Sequence, residues 1–215
     1  MPERNSNDVE FDGTANPKLV DVKLVSSGWI NKYILTYELP DGQVIEYESV
    51  SRKGLEAYKA RLKRHAEGEG GSPSEADAVC IVPVLSDGSL LLIREFRYSV
   101  NAWVVAFPAG LVDPGEEIRE CIERELAEET GYCLRGNADE AVRLLPQSGY
   151  SSVGMSEENV CIAIAQVEPA GAANLQHIEM IEPFVLKREE IAAFLESNSD
   201  LIGTRAQLIL ECFKE

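Results

Sequence analysis

Histidine is nearly missing from this chain of 215 residues, which holds only His65 and His177. That argues against a histidine-rich metal site. Paired cysteine is missing too. Cys80, Cys121, Cys133, Cys161 and Cys212 are scattered, odd in number and form no CxxC pair, which fits reduced thiols rather than a disulfide framework or a zinc site. Positive charge is short: 20 Lys and Arg stand against 37 Asp and Glu, a formal net charge of −17. A surface that acidic does not neutralise nucleic-acid backbone, so no nucleic-acid partner is expected. A small anionic substrate stays open, because a divalent cation inverts the local field. No apolar run approaches bilayer length, and MPERNSNDVEFDGTANP carries no apolar signal segment. The expectation is a soluble, cytoplasmic protein without a membrane partner.

What is there suffices for a core, since 45% of the residues are hydrophobic. That suits one generous domain, or one domain with an appendage. Residues 1–17 are polar and expected to fray. LVDVKLVSS and YILTYELPDGQVIEYESV alternate like strands around an Asp41-Gly42 turn, predicting a small antiparallel sheet of about three strands. LEAYKARLKRHA (55–66) follows as an amphipathic helix with Leu55, Tyr58 and Leu62 on its apolar stripe. Its polar side is assigned Lys59, Arg61, Lys63 and Arg64, a basic island read first as a solvated face. The glycine-rich stretch 68–76 reads as a linker. The expected division is therefore 1–67, an N-terminal sheet with a short helix; 68–76, a linker; and 77–215, the main domain.

In the main domain, DAVCIVPVL, SLLLIREFRY and WVVAFPAG read as strands, and IRECIERELAEET as a helix stopped by Gly131. NVCIAIAQV and IEPFVLKREE read as strands or strand plus turn. EEIAAFLES and DLIGTRAQLILECF read as two closing helices. The mixed order predicts an α+β or three-layer arrangement rather than alternating βαβ units.

One stretch does not fit an ordinary helix. In RELAEETGY (124–132), Glu125, Glu128 and Glu129 fall on neighbouring positions of one helix. Like charges so placed cost about 0.2–0.5 kcal/mol per pair. A solvated acidic face is the plain explanation, but hard carboxylate oxygens also suit Mg²⁺ or Mn²⁺. The preceding PAGLVDPGEE supplies Gly110, Pro114 and Gly115 for a tight loop, and Glu116 as a partner for Arg124.

Gly110, Glu116, Arg124, Glu125, Leu126, Glu128, Glu129, Gly131 and Tyr132, at these spacings, resemble the Nudix box at every defining position. The resemblance implies a Nudix fold, a mixed β-sheet sandwiched between helices, here with the small N-terminal antiparallel sheet in addition. It implies hydrolysis of a nucleoside diphosphate linked to another moiety, with a divalent metal, Mg²⁺ or Mn²⁺, as cofactor. Glu125, Glu128 and Glu129 would be metal ligands, joined by the backbone carbonyl of Ala109. Arg124 and Glu116 would pair to orient the helix.

The flanks resemble the ADP-ribose and ADP-sugar pyrophosphatase branch of that family. FPAGLVDPGE (107–116) is similar to its approach to the box, and REFRY (94–98) to its Q-[YF]-R segment. That would make Arg97 a phosphate contact, while Arg94 reads as a surface charge at a strand end. SVGMSE (152–157) resembles the branch's S-P-G-x-S-[DE] loop. The N-terminal sheet also resembles that branch, where it is exchanged between the subunits of a homodimer. Trp29 and Arg52 then become candidates for the adenosine side of the substrate, and Trp103 is read as core. The chain departs from the pattern at Ala106, where the branch has Glu, and at Val153, where it has Pro. A loop Glu would serve as catalytic base. Glu179 is the first choice and Glu182 the second, with Glu157 and Glu158 also open. The reading is an enzyme that converts ADP-ribose to AMP and ribose 5-phosphate. The alternatives are another nucleotide sugar of the GDP-mannose type, a nucleoside triphosphate, or a non-catalytic ADP-ribose-binding module.

Overall fold

The computed structural model describes residues 16–214, so the fraying expected for the first fifteen residues lies outside the described residues. The chain divides into two compact units. The first comprises the N-terminal residues through Glu69 together with Ser152–Glu157, and the second Gly70–Ser151 with Glu158–Glu215.

In the first unit, β1 (Lys18–Ser26), β2 (Asn31–Glu38) and β3 (Val44–Ser51) form an antiparallel sheet in the order β1-β2-β3. Gly42, at φ +84°, makes the turn between β2 and β3, a conformation that costs a glycine nothing. Helix α1 (Leu55–Ala66) packs Tyr58 onto Val22, Tyr33 and Leu35. The Tyr33 and Tyr58 rings lie 4.6 Å apart, and their hydroxyls bond to the Lys53 carbonyl and to Ser49, each at 2.7 Å. The polar face of α1 needs one correction. Arg61 is buried, at 9% exposure. It lies one turn from Tyr58, and its aliphatic stem can cover apolar surface. Lys59, Lys63 and Arg64 pair with Glu56, Glu67 and Glu69, as a solvated face does. The segment Ser152–Glu157 lines the edge of β3, where Val50 N–H donates to the Met155 carbonyl (2.9 Å) and Ser51 donates to Glu157 (2.5 Å).

In the second unit, β4 (Ala78–Val84) and β11 (Asn159–Pro169) run parallel. β4 also pairs antiparallel with β7 (Ala109–Leu111) and meets β5 (Leu90–Arg97) at Val84. β5 pairs antiparallel with β6 (Ala102–Ala106) and β12 (Ile181–Leu186). β8 (Tyr132–Leu134), β9 (Val142–Leu144) and β10 (Gly149–Tyr150) join β11. These three short strands, and the single turn α3 (Ala138–Ala141), lack the length for a periodic signal.

Alternation along β4 divides the interior. Val79 and Ile81 face Ile118, Cys121, Ile122 and Leu126 of α2 (Ile118–Thr130). Cys80 and Val82 face Ile191 of α4 (Ile191–Ser197) and Ala206 and Leu210 of α5 (Thr204–Phe213). Helices therefore cover both faces of a mixed sheet, which is why β4 reads as a continuous apolar run. The last predicted helix is shorter than expected. Leu201–Ile202 form β13, parallel to Val104–Val105 of β6, and only from Thr204 does the chain coil. Gly203 separates the two and donates its N–H to the Val105 carbonyl. No helix among the described residues is long and apolar enough to cross a membrane.

Candidate active site

The loop before α2 is built by hydrogen bonds to its own end. Asp113 N–H donates to the Glu116 carboxylate (2.9 Å), Glu116 N–H returns to the Asp113 carbonyl (3.0 Å), and Gly115 takes φ +84°. Glu117 N–H donates to the Glu120 carboxylate (3.1 Å), closing the first turn of α2. At the other end Gly131 adopts φ +73° as a left-handed cap. A Cβ at Gly131 would overlap the Gly171 carbonyl oxygen, and Ala170 and Gly171 N–H both bond to the Gly131 carbonyl. Asn174 N–H bonds to the Glu128 carbonyl (2.9 Å). The helix end thus anchors the chain that leads to Glu179.

Arg124 and Glu116 form a bidentate pair, Nε to Oε1 at 2.8 Å and Nη2 to Oε2 at 2.9 Å. The guanidinium holds the Glu116 carboxyl down at about 2, against the opposing effect of burial. Arg124 Nη2 also donates to the Leu111 carbonyl (3.0 Å), which ties helix to loop.

Glu125 and Glu129 are buried, at 8% and 5% exposure. The Glu125 carboxylate lies against Gly110, in the space a Cβ there would fill. Its pKa is raised by burial, opposed by Arg124, and raised further by Glu128 and Glu179. Glu129 accepts the Ala109 N–H at 3.1 Å. Burial first, then the charge of Glu125, pushes the Glu129 carboxyl up to about 9, with Glu95 and Glu179 adding to it. Arg124 Nη1 reaches Glu125 at 2.6 Å and Glu128 at 3.5 Å. No three acidic, His or Cys side chains among the described residues converge as an ion cage. The donor set nevertheless fits a hard divalent cation. It is all oxygen, two of its carboxylates are buried together, and burial without more positive charge leaves them unfavourably placed.

The other expected residues fall in several places. Arg97, exposed at the end of β5, pairs with Glu95 at 2.8 Å. Glu179 is half-buried and fixed by a reciprocal pair with Gln176: its carboxylate accepts Gln176 N–H (2.8 Å) and its N–H donates to the Gln176 carbonyl (2.9 Å). Its charge bears on Glu95, Glu125 and Glu129 alike. Glu182 is held instead by Arg94 (3.1 Å). Arg94 is no loose surface charge: it also binds Asp200 at 2.6 Å and stacks on Trp103, 4.4 Å from the ring centroid. Trp103 is half-buried rather than core, with Arg94 on its ring and Phe96 edge-on at 5.9 Å. Trp29, Arg52 and Glu157 belong to the N-terminal unit. Trp29 is 78% exposed, with the Arg52 guanidinium 5.5 Å above its ring. Glu158 is half-buried, and its carbonyl accepts Ser151 N–H (3.3 Å).

Sequence reasoning missed Glu95, whose charge reaches the cluster from the neighbouring β5. It also missed Arg205, at the start of α5, which donates to Ser151 Oγ at 2.7 Å. Neither has a spacing signal, since each approaches through the fold and not along α2.

The chain resembles known proteins in the same region. It is 36% identical over 125 residues to the ADP compounds hydrolase NudE of Escherichia coli, covering 56% of this chain and 64% of that one. It is 27% identical over 161 residues to an ADP-ribose pyrophosphatase of Saccharomyces cerevisiae, covering 72% and 59%. With an ADP-ribose pyrophosphatase of Bacillus subtilis the identity is 26% over 144 residues, covering 67% and 62%. The chain thus spans less than two thirds of the length of each of these relatives. A crystal structure of an ADP compounds hydrolase shares the fold, with a TM-score of 0.69 at 22% identity over 92% of this chain and 91% of that one. Members of the family generally need a divalent metal. The NUDIX domain model matches residues 75–202, which takes in the glycine loop, α2 and the segment bearing Glu179, and the chain therefore belongs to the Nudix family.

Proposed function

We propose that this chain is a metal-dependent pyrophosphatase that hydrolyses the diphosphate linkage of a nucleoside diphosphate sugar, ADP-ribose first, to AMP and ribose 5-phosphate. The observation that carries the reading is the burial of Glu125 and Glu129 together against β7, with Glu116 and Arg124 fixing the helix that bears them. Relatives named for ADP-ribose and ADP compounds support the substrate class.

Glu125, Glu128 and Glu129, with the Ala109 carbonyl, would hold Mg²⁺ or Mn²⁺. Such an ion, when bound, screens the diphosphate and acidifies water. Glu179, fixed by Gln176 and beside the cluster, accepts the proton of the attacking water on its carboxylate. The water oxygen joins one phosphorus as the bridging P–O bond breaks, and the other phosphate leaves with its sugar. Arg97 neutralises and orients the phosphates, and Glu95 aims its guanidinium. Trp29, with an open ring face, and Arg52 would take the adenosine side.

Residues 1–67 act in this reading as a separate module through which two copies pair. The apolar side chains left open on the small sheet support that, among them Val20 at 56%, Val44 at 64% and Ile45 at 40% exposure. Free thiols at every described cysteine support a cytoplasmic setting.

The test is a panel of nucleoside diphosphate sugars, dinucleotides and triphosphates, each assayed with Mg²⁺ and with Mn²⁺. ADP-ribose is expected to be turned over best, and Glu179→Gln to lower kcat about 10²–10⁴-fold with little change in KM. Preference for a triphosphate overturns the substrate. Full activity of Glu179→Gln overturns the base.

A further inference from the structure

A cavity of about 290 Å³ opens beside Ala109, the residue whose N–H holds Glu129. Its wall combines Arg97 at the end of β5, Arg205 and Thr204 in the first turn of α5, Ser151, and a floor that includes Cys80 and Ala106. Among the described residues no carboxylate lines it, although the chain carries 37 acidic residues against 20 basic ones. A lining of two guanidiniums, of which only Arg97 is paired with a carboxylate across its rim, and two hydroxyls, Ser151 and Thr204, selects an anion, and a neutral sugar alone would find few acceptors here. The volume is at the lower end of ligand pockets, about 300 Å³, so it takes one half of a nucleotide sugar and not the whole. Its one aromatic, Phe107, is only 3% exposed, leaving no open ring face on which a nucleobase could stack. The adenosine half is therefore the wrong half for this space.

We propose that this cavity is the phosphosugar subsite, and that Arg205 is a positioning residue that binds the phosphate departing with the sugar. The proposal rests on the pyrophosphatase reading and names the half of the substrate that each side chain holds. Arg205 enters from a helix on the α4/α5 face of the sheet, while the carboxylates stand on α2 on the other face. Its bond to Ser151 Oγ sets the guanidinium in place and leaves other N–H groups for an anion. Arg97 and Arg205 can then share one phosphate, or take the two phosphates of the intact substrate in turn.

Equilibrium titration of the full chain with ribose 5-phosphate, and separately with AMP, tests this. Arg205→Gln should weaken ribose 5-phosphate binding about 10- to 100-fold, the range of a lost charge-assisted hydrogen bond, and leave AMP binding within about twofold. Arg205→Lys should recover part of the loss, because charge is kept while the fork is not. Ser151→Ala should show a smaller loss of the same sign. In turnover, Arg205→Gln should raise KM for ADP-ribose and relieve product inhibition by ribose 5-phosphate but not by AMP. An equal loss for both ligands, or no loss for ribose 5-phosphate, overturns the proposal. Failure of the wild-type chain to hydrolyse any nucleotide sugar would instead overturn the pyrophosphatase reading, since the titration with ribose 5-phosphate still reports on the cavity.

Discussion

Gly110→Ala separates what the carboxylate helix does for folding from what it does for chemistry. A Cβ on residue 110 would overlap the carboxylate carbon and both oxygens of Glu125, so the carboxylate has to leave. The obstructing atoms are the far end of a flexible side chain, and Gly110 is not in the left-handed region, so the backbone can stay. Alanine there narrows the unfolded ensemble by about 0.4–1 kcal/mol in favour of folding. Against this stands the 2.6 Å contact between Arg124 and Glu125, about 1–2 kcal/mol for a half-screened charged hydrogen bond. Arg124 keeps its bidentate bond to Glu116. The net change in stability is therefore within about 1.5 kcal/mol, a shift in Tm of a few degrees for a chain of this size. The functional effect is far larger. If Glu125 is a ligand, displacing it should cost metal affinity at least the tenfold to hundredfold seen when outer-shell partners are lost, with turnover falling in step. Thermal unfolding and the Mg²⁺ dependence of ADP-ribose hydrolysis, measured on the same preparation, decide the matter. Wild-type turnover at wild-type Mg²⁺ concentrations would refute the ligand role of Glu125. Global unfolding would refute the claim that the space at Gly110 serves the carboxylate.

Glu116→Gln removes the bidentate partner of Arg124 and should destabilise the protein by about 1–3 kcal/mol, while the freed guanidinium turns to Glu125 and Glu128; chemical denaturation combined with a metal titration reports both losses. Tyr33, Tyr37 and Tyr58 have pKa values raised above the ordinary 10, burial being the largest cause. Their neutral forms are favoured by folding, so the N-terminal unit should keep its full stability below about pH 10 and lose it as pH rises through the shifted values. Tyrosinate absorbance should then appear together with loss of β-sheet circular dichroism; ionisation well before unfolding would contradict the burial argument.

The sequence by itself determined the long elements and the box. α1 and α2 have periodic apolar positions, and β4 a continuous apolar run, over enough residues to specify their state, and α2 ends where Gly131 permits a left-handed cap. The spacing of Gly110, Glu116 and Glu125 likewise marked a loop and helix built around carboxylates, because those contacts are local in the chain. Only the tertiary structure decided the rest. Leu201–Ile202 became strand because β6 offered free backbone partners, against a pattern that read as helix. Arg94 became a clasp because Asp200, distant in sequence, lies within hydrogen-bond reach. Glu95 and Arg205 approach the site from elements on different faces and edges of the sheet, and no periodicity within one segment encodes a neighbour that a strand crossing creates. Local spacing fixes what one helix presents; long-range pairing fixes what stands opposite it.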